Sequence, residues 1–523
     1  MVERQAGLTY RRAAFANDIR GCAPAKAFGP RIKEAFNLAD RWLDLSSGDL
    51  PKCLSGQRFV SIDRAREKGG SEFVAYDNPL YAQAQRAVLR YVTGLSDKKL
   101  GLIDGNDLGR FQVIPGISGF MPDALSIAAE SLGYSAEYGE KPVVVLIPPL
   151  HPHWIASVVE KWGYSSIVTI KRKSDGRIDK EHAKEVFDSI DRKFIVIATP
   201  DENPAGVCTP NSDFLNDDYD GLFNRIRNVP QFGVLLLDNI YSDLAWGQNS
   251  GKRYELIDQI ADAGIRCIVM HSLSKAFLKP GLRIGGAAYV GPLDDIGSDV
   301  VLYMEMIARG NINNGISGGQ LAALIEAYSG SEDVSSELVS TVGEIRQRVL
   351  RNLGVMNSGI ILPAYPDGVL ESAFYGLHTV SESGITSESV PWRDKEYRQW
   401  LIDRMESKLD LRRAADLSLW RAFRQVVGSH DWSGSNAFVL EMALNGVQML
   451  PVDPFSPIYT DDSYKKAPHL FTNHAGDEAI TFRTVLAYPE ADIDSARKTI
   501  ESVWKDRIDA FSKGAKVWRS AYK

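Results

Sequence analysis

Apolar runs too continuous for a half-solvated strand recur between Gln112 and Val290. They are QVI (112–114), VVVLI (143–147), SIVTI (166–170), FIVIA (194–198), GVLLL (233–237), CIVMH (267–271) and GAAYV (286–290). Helical patterns fill most of the gaps. Short strands that are apolar on both faces and alternate with helices predict an α/β fold, with a mostly parallel seven-stranded sheet covered on both sides. In such a sheet ligands bind beyond the carboxyl ends of the strands, so polar motifs directly after strands become candidates for chemistry.

The pattern changes further along. An amphipathic helix is predicted from Thr341 (TVGEIRQRVLRNLG) and another near the end from Ala491 (ADIDSARKTIESVWKDRIDAF). This predicts an N-terminal arm and part of a small domain over 1–75, a large domain over 76–340 and a smaller α+β domain over 341–523. Residues 355–432, with Trp392, Trp400, Trp420 and Trp432, read as an insertion with helical content. No internal repeat or low-complexity segment is visible.

Composition narrows the function class. With 523 residues, 44% hydrophobic and 24% charged, the chain carries enough apolar material for a large core, which excludes disordered and collagen-like classes. The net charge of -7 and the lack of basic runs give no footprint for nucleic acid or an anionic membrane. The opening residues MVERQAGLTYRR hold no apolar h-region, and every apolar run falls short of the ~20 residues a membrane span requires. A cytoplasmic protein is expected. Cys22, Cys53, Cys208 and Cys267 are too scattered for a disulfide framework or a metal knuckle, so reduced thiols and no metal are expected.

The sharpest motif is HSLSKAFLKPGLRIGG (271–286), directly after an apolar run. A lysine there serves as an imine-forming nucleophile when partly desolvated, and Ser272, Ser274 and Arg283 are donors suited to a phosphate ester. A second phosphate-binding element is VIPGISGFMPDAL (113–125), where Gly116, Ile117 and Ser118 lie between a strand and a helix whose first N–H groups attract an anion. His151 and His153 alone do not make a zinc site, since nothing nearby supplies further ligands.

The lysine motif resembles the SxSK…GxRxG signature of the class I/II aminotransferases, the pyridoxal-5′-phosphate (PLP) enzymes of fold type I. The resemblance extends along nearly the whole chain. It implies that Lys275 forms the Schiff base with PLP. In LLLDNIYSDL (235–244) it makes Asp238 the partner of the pyridine nitrogen and Tyr241 that of the phenolic oxygen. Asn203 of ATPDENPAG (198–206) becomes the second partner of that oxygen. His151 of PPLHPHWIAS (148–157) takes the place where the family stacks an aromatic ring on the cofactor, with Trp154 as a partial substitute.

For the substrate, the resemblance implies that Arg483 of TFRTVLAYPE (481–490) grips the carboxylate, with a backbone contact from Gly48 of LDLSSGDLP (43–51). Tyr76 of FVAYDNPLYAQAQRAV (73–88) matches a tyrosine that reaches the neighbouring subunit's phosphate, which implies a homodimer with shared sites; the family's middle glycine is replaced by Tyr81. Arg309 of ARGNINNGISGGQ (308–320) is a further candidate for a substrate side-chain carboxylate.

The implied chemistry starts from an external aldimine with an amino acid and then divides. Transamination gives a keto acid. Elimination, replacement or carbon–carbon bond formation, for example on S-adenosylmethionine, is the alternative, and the long insertion and His151 favour a specialised substrate. A DNA-binding regulator is a third class, opposed by the acidic charge and by the early position of Gly48.

Overall fold

The computed structural model describes residues 24–46, 50–51, 54, 58–72, 74, 78–100, 108–134, 140–147, 150–163, 166–173, 175–200, 206, 209–215, 221–229, 231–246, 252–313, 315–364, 370–380, 395–427, 434–451 and 480–512. The first strand, β1 (Leu43–Asp44), lies outside the main sheet. Then come β2 (Phe111–Ile114), β3 (Val143–Leu146), β4 (Ile167–Thr169), β5 (Phe194–Ala198), β6 (Phe232–Asp238), β7 (Cys267–Ser272) and β8 (Gly285–Val290), each within a residue or two of its apolar run. They form one seven-stranded sheet in the order β2-β8-β7-β6-β5-β3-β4. Only β8 runs against its neighbours, pairing antiparallel with both β2 and β7.

Both faces of this sheet are buried. Val143 and Val145 of β3 point into one apolar cluster, Val144 and Leu146 into the other, and β5 splits Phe194, Val196 and Ala198 from Ile195 and Ile197 in the same way. That alternation is why the strands are apolar at every position. Asp238 closes β6 and Ser272 closes β7, placing their side chains at the carboxyl edge that the sequence pattern singled out.

A four-stranded sheet follows: β9 (Ile361–Pro363), β10 (Tyr375–Val380), β12 (Leu450–Pro451) and β13 (Ile480–Val485), in the order β12-β13-β10-β9. The remaining short strand, β11 (Val447–Gln448), pairs in parallel with β1. The larger apolar cluster runs without a break from the seven-stranded sheet into this one. The stretch 355–432 read as an insertion contributes β9 and β10 to the sheet and adds the helices Lys395–Glu406 and Ala414–Val427.

The helix predicted from Thr341 begins earlier, at Glu332, and continues to Met356. Glu332 and Asp333 occupy its first turn, where negative charge is favoured, and Val334 supplies a buried position ahead of Thr341, Ile345 and Val349. The closing helix spans Glu490–Ser512. Glu441 pairs with Arg507 at 2.7 Å and accepts from Tyr397, tying the added helix Lys395–Glu406 to the closing one. Among the described residues, no helix is long and apolar enough to cross a membrane.

Candidate active site

At the phosphate end, β2 leads through a tight turn (Gly116 N–H to Ile114 O, 2.8 Å) into the helix Ile117–Ser131. Gly116 sits at φ +74, where a side chain is strained, and a Cβ there would stand 3.4 Å from Arg283 Nη2. The Arg283 guanidinium therefore faces a helix N-terminus whose first N–H groups have no intrahelical acceptor. Arg283 adopts a left-handed conformation (φ 49), as does Leu278 (φ 56). Two strained residues in one loop mark a conformation held by its surroundings. Lys279 Nζ donates to Arg58 O at 3.0 Å and pairs with Asp63 at 2.6 Å, and Gln320 Nε2 donates to Leu282 O at 2.9 Å. Ser272 Oγ accepts the Ser274 N–H at 3.3 Å, and Lys275 follows, partly buried.

Below this cradle, Asp238 is buried with two uncharged hydrogen-bond donors. Trp154 Nε1 donates to Oδ2 at 2.9 Å and Ile240 N–H to Oδ1 at 3.3 Å. Burial outweighs both bonds and pushes its carboxyl up to about 6. Trp154 is therefore the side-chain partner of Asp238 and sits fully buried, rather than standing in for the ring at position 151. His151 caps the helix Pro152–Trp162, accepting the His153 N–H at 3.3 Å with the two rings edge to face at 4.6 Å. It stays partly exposed.

Tyr241 is buried beside this carboxylate, and burial holds its phenol well above the usual range. Its hydroxyl lies 3.0 Å from that of Tyr375 on β10. The ring of Tyr375 faces the Arg483 guanidinium, 4.1 Å from Cζ to centroid, and Arg483 Nη2 donates to Ser46 O at 2.6 Å. Ser46 is held in turn by Asp44, which accepts its Oγ at 2.6 Å, and by Gln448 Nε2, which donates to that Oγ at 2.6 Å. The segment that carries Gly48 thus reaches Arg483 through Ser46. None of Tyr375, Ser46 and Gln448 was singled out from the sequence. They converge through strand register, which no local motif encodes.

A second buried cluster underlies the lysine loop. His271 Nδ1 lies 2.9 Å from the Tyr328 hydroxyl and Nε2 lies 2.9 Å from Asp243, which also binds Tyr91 (2.9 Å) and Arg253. Arg253 and His271 hold the Asp243 carboxyl below its usual range against burial. Tyr81 fills the position where a glycine was expected and donates to Gln112 Oε1 of β2 at 2.8 Å.

The structure thus brings together Gly116, Ile117, Ser118, Ser272, Ser274, Lys275 and Arg283 at the carboxyl edge, with Asp238 and Tyr241 beside them and Arg483 reached through Tyr375. Arg309 is exposed and pairs with Glu305, one turn back on the helix Asp295–Asn313. Gly48, Tyr76 and Asn203 lie outside the described residues. Among the described residues, no group of three or more His, Cys, Asp or Glu is assembled that could hold a metal ion. Cys267 is a buried thiol, pushed up by desolvation.

The pattern of the family described as aminotransferase class I and II matches residues 136–361. Among curated proteins, no sequence matches the chain. In fold, the chain is similar to an alanine aminotransferase from Pyrococcus furiosus (TM-score 0.61, 14% identity, 92% of this chain and 97% of that one covered). An aminotransferase from Escherichia coli aligns with TM-score 0.61 at 15% identity over 95% of both chains. An aspartate aminotransferase from Rhizobium meliloti aligns with TM-score 0.57 at 17% identity over 93% of this chain and 96% of that one. At these identities the likeness concerns the fold, which is therefore the aminotransferase fold.

Proposed function

We propose that this chain, whose residues 136–361 match the aminotransferase class I and II family, is a PLP-dependent aminotransferase acting on an amino acid. One juxtaposition carries the reading. A buried carboxylate with only uncharged donors, Asp238, closes one strand, and the serine-flanked Lys275 follows the end of the next.

The residues present fit the cofactor. Gly116 leaves open the space beside Arg283 that a Cβ would fill, as a phosphate between a guanidinium and a helix N-terminus requires. Asp238, lifted by burial to about 6, is suited to hold a proton on a ring nitrogen. Bound there, PLP supplies an aldehyde for the substrate's amine and a ring that draws electron density from Cα.

The chain's own groups do the rest. Ser272, Ser274, Gly116, Ile117, Ser118 and Arg283 would hold the phosphate. Asp238, oriented by Trp154 and Ile240, would keep the ring nitrogen protonated. Tyr241, with Asn203, would donate to the phenolic oxygen, and His151 would stack on the ring. Arg483, with Gly48, grips the substrate carboxylate through paired N–H groups and so sets which bond at Cα is broken. Lys275 would hold the cofactor and, with its amine free, would take the Cα proton.

In the same reading the chain is a cytoplasmic homodimer without nucleic-acid or membrane partners. The domains 1–75, 76–340 and 341–523 divide the work, with PLP on the second; Tyr76 serves the neighbouring subunit's phosphate in a shared site, and Arg309 reads a substrate side-chain carboxylate.

The test is direct. Purified protein given PLP should develop a visible absorption band that survives dialysis, and Lys275→Ala should lose it. Incubation with a panel of amino acids and S-adenosylmethionine should yield keto acids and pyridoxamine phosphate. A wild type that stays colourless sinks the reading, and substrate consumed without pyridoxamine phosphate would move it to elimination or replacement.

A further inference from the structure

Arg483 and Tyr241 serve opposite ends of the proposed site, and one residue touches both. Tyr375 is fully buried on β10. β10 pairs antiparallel with β13 so that Leu377 stands opposite Arg483 and Tyr375 opposite Val485. Tyr375 and Arg483 are thus diagonal neighbours, close enough for the guanidinium to lie 4.1 Å from the ring centroid. At its far end the same side chain places its hydroxyl 3.0 Å from that of Tyr241, which follows β6 of the other sheet. The backbone before it is anchored too. Gly206 O accepts the N–H groups of Glu371 (3.0 Å) and Ser372 (2.9 Å), and a Cβ on Gly206 would stand 2.8 Å from Tyr375 O.

We propose that Tyr375 is a positioning residue that ties the carboxylate-binding Arg483 to the cofactor-facing Tyr241; the inference rests on the function proposed above. The two parts of the side chain act separately. The ring presents its negative face to the guanidinium and fixes the plane of the fork, an interaction that strengthens when both partners are desolvated. The hydroxyl acts on Tyr241. A phenol has one proton to give, so Tyr241 can donate to the cofactor's phenolic oxygen only if Tyr375 is the donor in the pair. Accepting that bond makes Tyr241 the stronger donor. Arg483, by donating to Ser46 O, extends the same chain of contacts to the N-terminal segment.

The experiment separates ring from hydroxyl with Tyr375→Phe and Tyr375→Leu, and uses Tyr375→Met if the leucine variant does not fold. Acetate, succinate and 3-phenylpropionate, which cannot react, are titrated calorimetrically into cofactor-free and PLP-loaded protein, and the visible band of the loaded protein is followed against pH. Removing the ring should weaken carboxylate binding about tenfold or more, toward the level of Arg483→Ala. Tyr375→Phe should leave that binding within about twofold yet move the midpoint of the visible band to higher pH. Wild-type behaviour of every Tyr375 variant in both measurements overturns the proposal and leaves the aminotransferase reading standing. A wild type that forms no visible band with PLP overturns the reading, and the proposal with it.

Discussion

The indole N–H of Trp154 lies 2.9 Å from Asp238 Oδ2, so a neutral donor on the helix Pro152–Trp162 is the side-chain partner of a buried carboxylate at the end of β6. A neutral donor orients the carboxylate without neutralising it, as the proposed pairing with a ring nitrogen requires.

Trp154→Phe keeps most of the packing and removes that donor. A hydrogen bond to a charged group contributes about 1.5–3 kcal/mol, so cofactor binding should weaken roughly ten- to a hundredfold. Equilibrium titration of cofactor-free protein with PLP measures this, and an unchanged dissociation constant would discount the bond.

Asp238 also gives a pH prediction for the cofactor-free protein. Its folded value is lifted from 3.8 to about 6, so the folded state binds the proton more tightly than the unfolded chain does. Stability is therefore lost as pH rises from about 4 to about 6, by roughly 3 kcal/mol in all. Asp238→Asn should be more stable than wild type by about that amount at pH 8 and equal to it near pH 3.5, while binding PLP more weakly. Urea unfolding at the two pH values decides the matter; equal stability at pH 8 would contradict it.

His378 works in the opposite sense. It is buried on β10, its Nε2 lies 3.0 Å from Thr484 Oγ1, and burial lowers it from 6.5 to about 3. The unfolded chain takes up a proton there first, so the stability present above pH 6.5 is lost as pH falls toward 3. Between pH 7.5 and 4.5 wild type should lose roughly 3 kcal/mol more than His378→Asn. Parallel slopes for the two proteins would show that another group controls the acid limb.

The ion pair between Glu441 and Arg507 is buried on both sides. Arg507→Met should destabilise the protein by about 3–5 kcal/mol, because it removes one partner of a buried ion pair. The double change Glu441→Leu with Arg507→Met should recover much of the loss, and PLP binding should be unaffected in both. Thermal unfolding with a cofactor titration reads both effects.

Much of the large sheet was legible in the chain. All seven strands coincide with apolar runs, because burial on both faces demands apolar residues at every position. The lysine loop and the buried Asp238 were legible for a similar reason, since the chemistry proposed for them requires particular residue types at short spacing. The start of the helix Glu332–Met356 was missed by nine residues (341 − 332), since there the apolar stripe consists of Val334 and the partly buried Leu338 amid exposed Glu332, Asp333, Ser335 and Ser336.

The sequence by itself therefore determined the strand pattern, the acidic net charge and the short-range motifs from which the proposed site is drawn. Only the tertiary structure decided that Trp154 turns inward to Asp238, that Ser46 meets Arg483 across hundreds of residues, and that Tyr375 joins Arg483 to Tyr241. The physical reason is range. Apolar periodicity and motif spacing act within a few residues, whereas the pairing of β10 with β13, and of both with the edge of the other sheet, is set by the whole core closing at once.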